Sequence, residues 1–190
     1  MQCRIFEDFL TEDQCIDLIE MSRNRLEKSL AWDVKEGKSV PDDYRNSEQT
    51  FYQVSENDLV KQIEQKIADV TGAPIENGEG LQVVHYRPGG FYKPHWDFFD
   101  PQYPSNINAL SRGGQRVITV IMYLNDSSVG TYFPIHEITF KNKTGRAVLW
   151  YNVMPPNMEI DRTTYHEGQV CPPNEERWIV TKWIHESKFT

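Results

Sequence analysis

From Leu81 onward the apolar residues fall in short runs broken by Gly, Pro and Asn: "LQVVHY", "YKPHWDF", "RVITVIMYL", "TYF", "EITF", "RAVLWYN", "QVC" and "RWIVTKWIH". Runs this short, rich in β-branched and aromatic residues, read as strands, because such side chains pack well on a pleated surface while Gly and Pro end the pairing. Their spacing predicts a mostly β fold, a sandwich, barrel or jelly roll, with helices to one side. Those helices lie upstream. "TEDQCIDLIEMSRNRLEKSL" opens with a Thr11/Gln14 capping box and carries Cys15, Leu18, Ile19 and Leu26 at helical spacing. "SENDLVKQIEQKIADVTG" repeats the form, with Ser55 as cap, Leu59, Ile63 and Ile67 as the stripe, and Gly72 with Pro74 as the stop.

The 190 residues hold no internal repeat and no low-complexity linker, and are enough for one full core but short for two. We expect a single domain over 1–190, with helical support over about 1–80 and a β core over about 81–186. A formal charge of -8 argues against broad capture of nucleic acid or anionic lipid and mildly favours a basic peptide partner. Cys3, Cys15 and Cys171 are odd in number and far apart, so neither a disulfide framework nor a thiolate metal knuckle is indicated, and a reducing compartment fits. No signal-like start and no window near the ~20 apolar residues of a membrane span is present, so the expected setting is cytoplasmic, without a membrane partner. The triplets at Asn125 and Asn142 match the glycosylation pattern but mean little without secretion.

Chemistry enters at "YKPHWDFFD", where His95 and Asp97 stand two apart, as residues on one side of a strand do. A neutral imidazole and one carboxylate leave a divalent metal short of ligands. Among His85, His136, His166 and His185, the choice falls on His166, which lies late in the chain, where a jelly roll brings a strand beside the first. Two His and one carboxylate without thiolate form the facial set that leaves positions open on iron(II); the same set holds zinc in hydrolases. His85 and His136 read as structural.

"HYRPGGFYKPHWDF", "YLND" with "TYFP", "YHEG" and "RWIVTKWIHE", in that order, resemble the catalytic domain of the prolyl 4-hydroxylases, over about Arg45 to Glu186. The resemblance implies a double-stranded β-helix (jelly roll) core supported by N-terminal α-helices. It implies an Fe(II) and 2-oxoglutarate dependent dioxygenase that consumes dioxygen, with ascorbate as an allowed reductant. By the same resemblance His95, Asp97 and His166 are the iron ligands, and Tyr86 and Tyr123 contact the cosubstrate. A basic residue from the last core strand should anchor its distal carboxylate, and the candidate is Arg177, eleven residues after His166 (177 minus 166), where the family usually has Lys at ten. The family's Gly-Gly-Glu-Thr-x-Phe-Pro is here "SVGTYFP", one shorter and without the Glu.

Strand parity tests the anchor. On "RWIVTKW", Arg177, Ile179, Thr181 and Trp183 share one face and Trp178, Val180 and Lys182 the other, so Arg177 and Lys182 cannot both point inward. Arg177 is the better choice because a planar guanidinium grips a carboxylate through two hydrogen bonds. Thr119 shares a face with Tyr123 and is expected to line the cosubstrate pocket. Tyr92, Arg116, Trp183 and His185 match positions that contact the target peptide in family members. Arg116 has the wrong parity for that cavity and reaches it only from the rim or past a bulge near Gly113-Gly114. Residues 33–49 and 99–114 are polar, turn-rich segments expected to close over a peptide.

The expected activity is peptidyl-proline 4-hydroxylation, giving hydroxyproline, succinate and carbon dioxide on a proline-containing peptide or protein. A related dioxygenase acting on another side chain or a free amino acid, and a non-catalytic jelly-roll binding module, are the alternatives.

Overall fold

A computed structural model describes residues 1–33, 38–40 and 43–190; residues 34–37 and 41–42, within the first expected closing segment, lie outside it. Two antiparallel sheets face one another. The larger has seven strands in the order Cys3–Phe6, Ala147–Tyr151, Arg116–Tyr123, Arg177–His185, Leu81–Tyr86, Glu48–Tyr52 and Glu27–Lys28. The smaller has five: Ile138–Lys141, Gly130–Phe133, His166–Gly168, Phe91–His95 and Arg45–Asn46. Apart from the hairpin of Gly130–Phe133 and Ile138–Lys141, strands adjacent in each sheet come from separate parts of the chain, as the jelly roll requires.

Period-2 alternation sorts the side chains of the larger sheet into two cores. One face, with Leu81, Val83, Val120, Met122, Leu149, Trp178 and Val180, packs on helices α1 (Glu12–Arg23) and α2 (Asp58–Thr71) through Cys15, Leu18, Val60, Ile63 and Ile67. The opposite face, with Val84, Tyr86, Ile121, Tyr123, Val148, Trp150 and Ile179, meets Phe133 and Phe140 of the smaller sheet. The region before residue 81 therefore supplies strands to the sheet edges as well as the helical layer.

α1 starts at the expected capping box, with both Thr11 and Gln14 hydrogen bonds in place. α2 ends where expected, at Gly72 with φ 73, a left-handed conformation that glycine adopts without strain. Its start differs from expectation. Asn57 is the cap, accepting from the Val60 amide at 3.0 Å, while Ser55 donates its amide to Glu64 at 2.8 Å and so lies outside the helix. Two strand expectations also shift. "QVC" is not a strand: Cys171 exchanges backbone bonds with Gly89 and Gly90, and the ladder is made instead by His166–Gly168. "YKPHWDF" stops pairing at His95, so Asp97 sits in the bend just beyond the strand end.

Lys182 faces the helical layer, as parity requires. Its ammonium donates to Glu64 at 2.6 Å, and both side chains are almost fully buried. Removing one member of such a pair leaves a bare charge in an apolar layer. Glu64→Ala is expected to cost about 3–5 kcal/mol, and the double variant E64L with K182M, which replaces both charges by apolar side chains, far less. Urea unfolding of the single and double variants measures this, and equal losses would refute it.

Candidate active site

The strand pairing sets His166 directly opposite His95. Each ring donates from Nδ1 to a backbone carbonyl two residues earlier, His95 to Lys93 and His166 to Thr164, both at 2.8 Å. That bond fixes the tautomer and leaves Nε2 of each ring with its lone pair toward the same space. Asp97 completes the set: Oδ1 lies 3.7 Å from His95 Nε2 and Oδ2 3.7 Å from His166 Nε2. The three ligand atoms all lie within 4.8 Å of one another. Burial and the neighbouring His166 push His95 down to about 3, so it is a neutral imidazole at neutral pH. Burial works against ionisation of Asp97, but the two histidines override it and hold the carboxyl below its usual range. Two imidazole nitrogens and one carboxylate oxygen are what a divalent metal with open positions takes.

A polar chain steadies the carboxylate. Thr119 donates to Asp97 Oδ2 at 2.8 Å, Asn152 Nδ2 donates to Thr119 Oγ1 at 2.9 Å, and Trp150 Nε1 donates to Asn152 Oδ1 at 2.9 Å. The hydroxyl of Thr119, expected in the cosubstrate pocket, is thus directed to the metal-ligand carboxylate. Asn152 carried no signal in the sequence.

Deeper in, Tyr86, Ile121, Thr131, Gly168, Arg177, Ile179 and Thr181 line a narrow pocket that opens on the three ligands. Arg177 is fully buried and stands opposite Tyr86 in the ladder. Its Nη1 donates to the Gln169 carbonyl at 2.7 Å and its Nε to Asn142 Oδ1 at 3.3 Å, but Nη2 has no partner among the described residues. A buried guanidinium nitrogen without an acceptor is costly unless a ligand supplies one. Tyr123 donates to Thr131 at 3.1 Å, and burial pushes its phenol up to about 12, so it remains a donor. Gly168 leaves space here, since a Cβ would come within 3.1 Å of the Tyr86 hydroxyl.

His95 and Asp97 also border a cavity of about 460 Å³ lined by Arg45, Glu79, Tyr92, Trp96, Arg116, Trp183 and His185, among others; Arg45, Tyr92 and Trp183 line the narrow pocket as well. The segment 99–114 forms part of its wall through Phe99, Asn108, Ala109 and Arg112. Tyr92 stacks on the His95 ring at 3.7 Å, with the Arg45 guanidinium 4.6 Å from the Tyr92 ring centre. Arg116 reaches this cavity by a bulge. Ile184 pairs with Ile118 and His185 with Arg116, so Val117 is the extra residue and Arg116 returns to the face of Thr119. The bulge lies at Val117 rather than at Gly113-Gly114, and nothing in the local sequence marks it.

Arg116 stacks over Trp183 at 4.0 Å and donates twice to Glu79, at 2.5 and 3.0 Å. His185 places Nε2 2.9 Å from Glu79 and Nδ1 3.0 Å from the Gly114 carbonyl. The indole nitrogen of Trp183 is buried without a partner among the described residues. The expected set Tyr92, Arg116, Trp183 and His185 is therefore gathered on one cavity, and Glu79, which sequence reasoning missed, ties two of its members together. His85 lies elsewhere, stacked on Trp178 at 4.0 Å with its nitrogens facing Glu48 and Glu176. His136 sits in the turn between Gly130–Phe133 and Ile138–Lys141.

A two-sheet jelly roll with a buried facial His-Asp-His set and an adjoining basic pocket defines a class, the mononuclear non-haem iron oxygenases that bind an acidic cosubstrate. The model of the 2OG-Fe(II) oxygenase superfamily matches residues 81–185. "Probable prolyl 4-hydroxylase 10" of Arabidopsis thaliana is 35% identical, covering 97% of this chain and 69% of the relative. "Prolyl 4-hydroxylase 5" of the same plant is 35% identical, with 97% and 68% covered. Among solved structures, a viral collagen prolyl hydroxylase from Paramecium bursaria Chlorella virus-1, in complex with 2OG, superposes with a TM-score of 0.74 at 24% identity, covering 97% of this chain and 96% of that one. A Pseudomonas putida prolyl-4-hydroxylase does so at 0.61 and 18%, covering 96% and 91%. The chain belongs to the 2OG-Fe(II) oxygenase superfamily and, within it, to the prolyl 4-hydroxylases. Its cofactor and cosubstrates are those of that family, Fe(II), 2-oxoglutarate and dioxygen, and the donor set and the unpartnered Arg177 nitrogen fit them.

Glu79 gives a pH test. Burial opposes its ionisation, but Arg116 and the His185 hydrogen bond prevail and hold it at about 2, against an ordinary value of 4.5. A depressed carboxyl stabilises the fold fully above its unfolded value and loses that contribution as pH falls through its folded value. The stability difference between wild type and Glu79→Gln should be constant above about pH 5 and shrink between about pH 4.5 and 2. Denaturant midpoints across that range decide it; a difference that grows on acidification refutes it.

Proposed function

We propose that this chain hydroxylates C4 of proline residues in peptide or protein substrates, converting 2-oxoglutarate and dioxygen to succinate and carbon dioxide. The observation that carries this reading is that the ligand set borders two adjoining spaces, a narrow pocket lined by Arg177 and an aromatic-walled cavity lined by Arg116 and Trp183. His95, Asp97 and His166 would hold the iron, and their backbone and Thr119 hydrogen bonds keep the donor atoms aimed. Arg177 takes the distal carboxylate of 2-oxoglutarate, aided by Tyr86, which lines the same pocket, and by Tyr123, which reaches that lining through its hydrogen bond to Thr131. Iron and 2-oxoglutarate supply the oxidising power when bound.

The chain's own part is placement and exclusion of water. Trp183, flattened under Arg116, offers an apolar wall for a pyrrolidine ring, and its unpartnered indole nitrogen offers a donor to a peptide carbonyl. Tyr92 closes the side nearest His95, while Arg116 and His185, held by Glu79, face the peptide backbone. Asp97, held below its usual range, and His95, pushed down to about 3, are kept in the forms that donate a lone pair. Segment 99–114 closes over the bound peptide from its place in the cavity wall, and the described part of segment 33–49 adds Arg45 and Gln49 to that wall. The single domain over 1–190 carries all of these parts. A reducing, cytoplasmic setting is supported by three free cysteines, two of them buried.

The test is a panel of proline-rich peptides incubated with Fe(II), 2-oxoglutarate and ascorbate and read by mass spectrometry. Gain of one oxygen on proline is expected, with His166→Ala giving none; oxidation confined to lysine or to free amino acids would move the chain to another dioxygenase activity, and no 2-oxoglutarate-dependent oxygen uptake would make it a binding module. A second test separates the ligands from their support. Thr119→Val keeps the shape and removes the hydrogen bond to Asp97, so metal affinity should fall about 10–100-fold. An unchanged affinity, measured by competition with a chromogenic chelator, would show that the hydroxyl does not serve the metal.

A further inference from the structure

Arg177 has three guanidinium nitrogens, and the protein occupies two of them. Nε goes to the Asn142 side chain and Nη1 to the Gln169 carbonyl, which leaves Nη2 without a partner among the described residues, on a side chain that lines the inner pocket. Asn142 is itself buried, just past the strand Ile138–Lys141, and its backbone is tied on both sides: its amide donates to Val129 and its carbonyl accepts from Ser127. Its side-chain Nδ2 has no partner among the described residues. Asn142 therefore spends a buried amide on one interaction, the acceptor for Arg177 Nε. The glycosylation triplet it heads is out of reach of any modifying enzyme in the folded chain.

We propose that Asn142 is a positioning residue for the cosubstrate: by holding Nε it fixes the rotation of the guanidinium and turns Nη2 toward the distal carboxylate of 2-oxoglutarate. This rests on reading Arg177 as the carboxylate anchor. It also accounts for arginine at this position in place of lysine. A guanidinium can be gripped at its Nε edge by the protein and still present an Nη edge to a ligand, because its donors are spread over a rigid plane. An ammonium concentrates its donors at one atom, so holding it and presenting it draw on the same point. The Arg177–Asn142 pair is thus a two-residue anchor, contributed by the larger sheet and by the loop at the edge of the smaller one.

The test is a double-mutant cycle on 2-oxoglutarate binding, measured by calorimetry on the Mn(II)-loaded protein without substrate peptide. Asn142→Ala should raise the 2-oxoglutarate Kd about ten-fold, in the range of coupled neighbouring sites, with metal affinity unchanged. Asn142→Leu keeps the volume of the side chain but removes the acceptor for Nε, so it should bind as poorly as the Ala variant; a merely structural, space-filling role would have Leu recover binding. The double variant N142A with R177A should bind no more weakly than R177A alone. Thermal unfolding of Asn142→Ala and Asn142→Leu guards against loss of the fold as the cause. Wild-type Kd in Asn142→Ala, recovery in the Leu variant, or additive losses in the double variant would each overturn the proposal. Loss in Arg177→Ala with none in Asn142→Ala removes only the role of Asn142, whereas wild-type binding in Arg177→Ala removes the anchor reading and the pair with it.

Discussion

The site depends on one pairing in the smaller sheet, the alignment of His166 with His95. Strand neighbours sit about 5 Å apart, close enough for two imidazoles to share an ion and too far for them to crowd each other out. Shifting the register by one residue would turn one ring to the opposite face and dissolve the set. The register is held on both sides. His166 packs edge-on to Trp150 at 4.9 Å and beside Phe133 at 5.3 Å, and His95 lies under Tyr92 at 3.7 Å. The aromatic residues that fill the inner core are thus also what keeps the ligands in place.

Burying this much polarity carries a penalty, and the structure meets it by giving each charged group a partner of opposite character. Asp97 has Thr119 and the two histidines; Glu79 has Arg116 and His185; Glu64 has Lys182 and the Ser55 amide. Such groups cost several kcal/mol when left bare, which exceeds what any one surface contact returns. The exceptions are informative for that reason. Among the described residues, the buried polar side-chain atoms without a partner are Arg177 Nη2, Trp183 Nε1, Trp178 Nε1, Asn142 Nδ2 and His136 Nε2; of their side chains, Arg177 and Trp183 line the spaces that adjoin the metal ligands, where cosubstrate and substrate are proposed to sit.

Much of this was legible from spacing. Alternation on Arg177–His185 correctly separated the inward residues from Trp178, Val180 and Lys182, because a paired strand in mid-sheet has no freedom to do otherwise. The strands Leu81–Tyr86 and Arg116–Tyr123 were visible for the same reason. What escaped depended on contacts between segments far apart in the chain. The bulge at Val117 is a property of how two strands meet, Glu79 gains meaning only beside Arg116 and His185, and Asn142 and Asn152 are ordinary asparagines until the fold sets them against Arg177 and Thr119. Ser55 misled because a serine ahead of an acidic, apolar stretch looks like a cap. The actual cap, Asn57, is an equally good one two residues later, and the choice between them was made by Glu64, which draws the Ser55 amide away from the helix.

The division of labour between the sheets follows from their surroundings. The larger sheet is covered on both faces, by helices outside and aromatic residues inside, so its strands are the firmest frame available and carry Tyr86, Arg116, Tyr123, Arg177 and Trp183. The smaller sheet has no such helical layer among the described residues, and it carries the two histidines on short strands. A metal ion tolerates such a support, since coordination itself draws three donors to fixed distances once they lie near one another. Recognition of a carboxylate or a ring has no comparable self-correction and loses steeply with small misplacements, which favours the stiffer sheet. The link from Thr119 to Asp97 then matters beyond its own hydrogen bond: it fastens the ligand set to the frame that positions everything the set must meet.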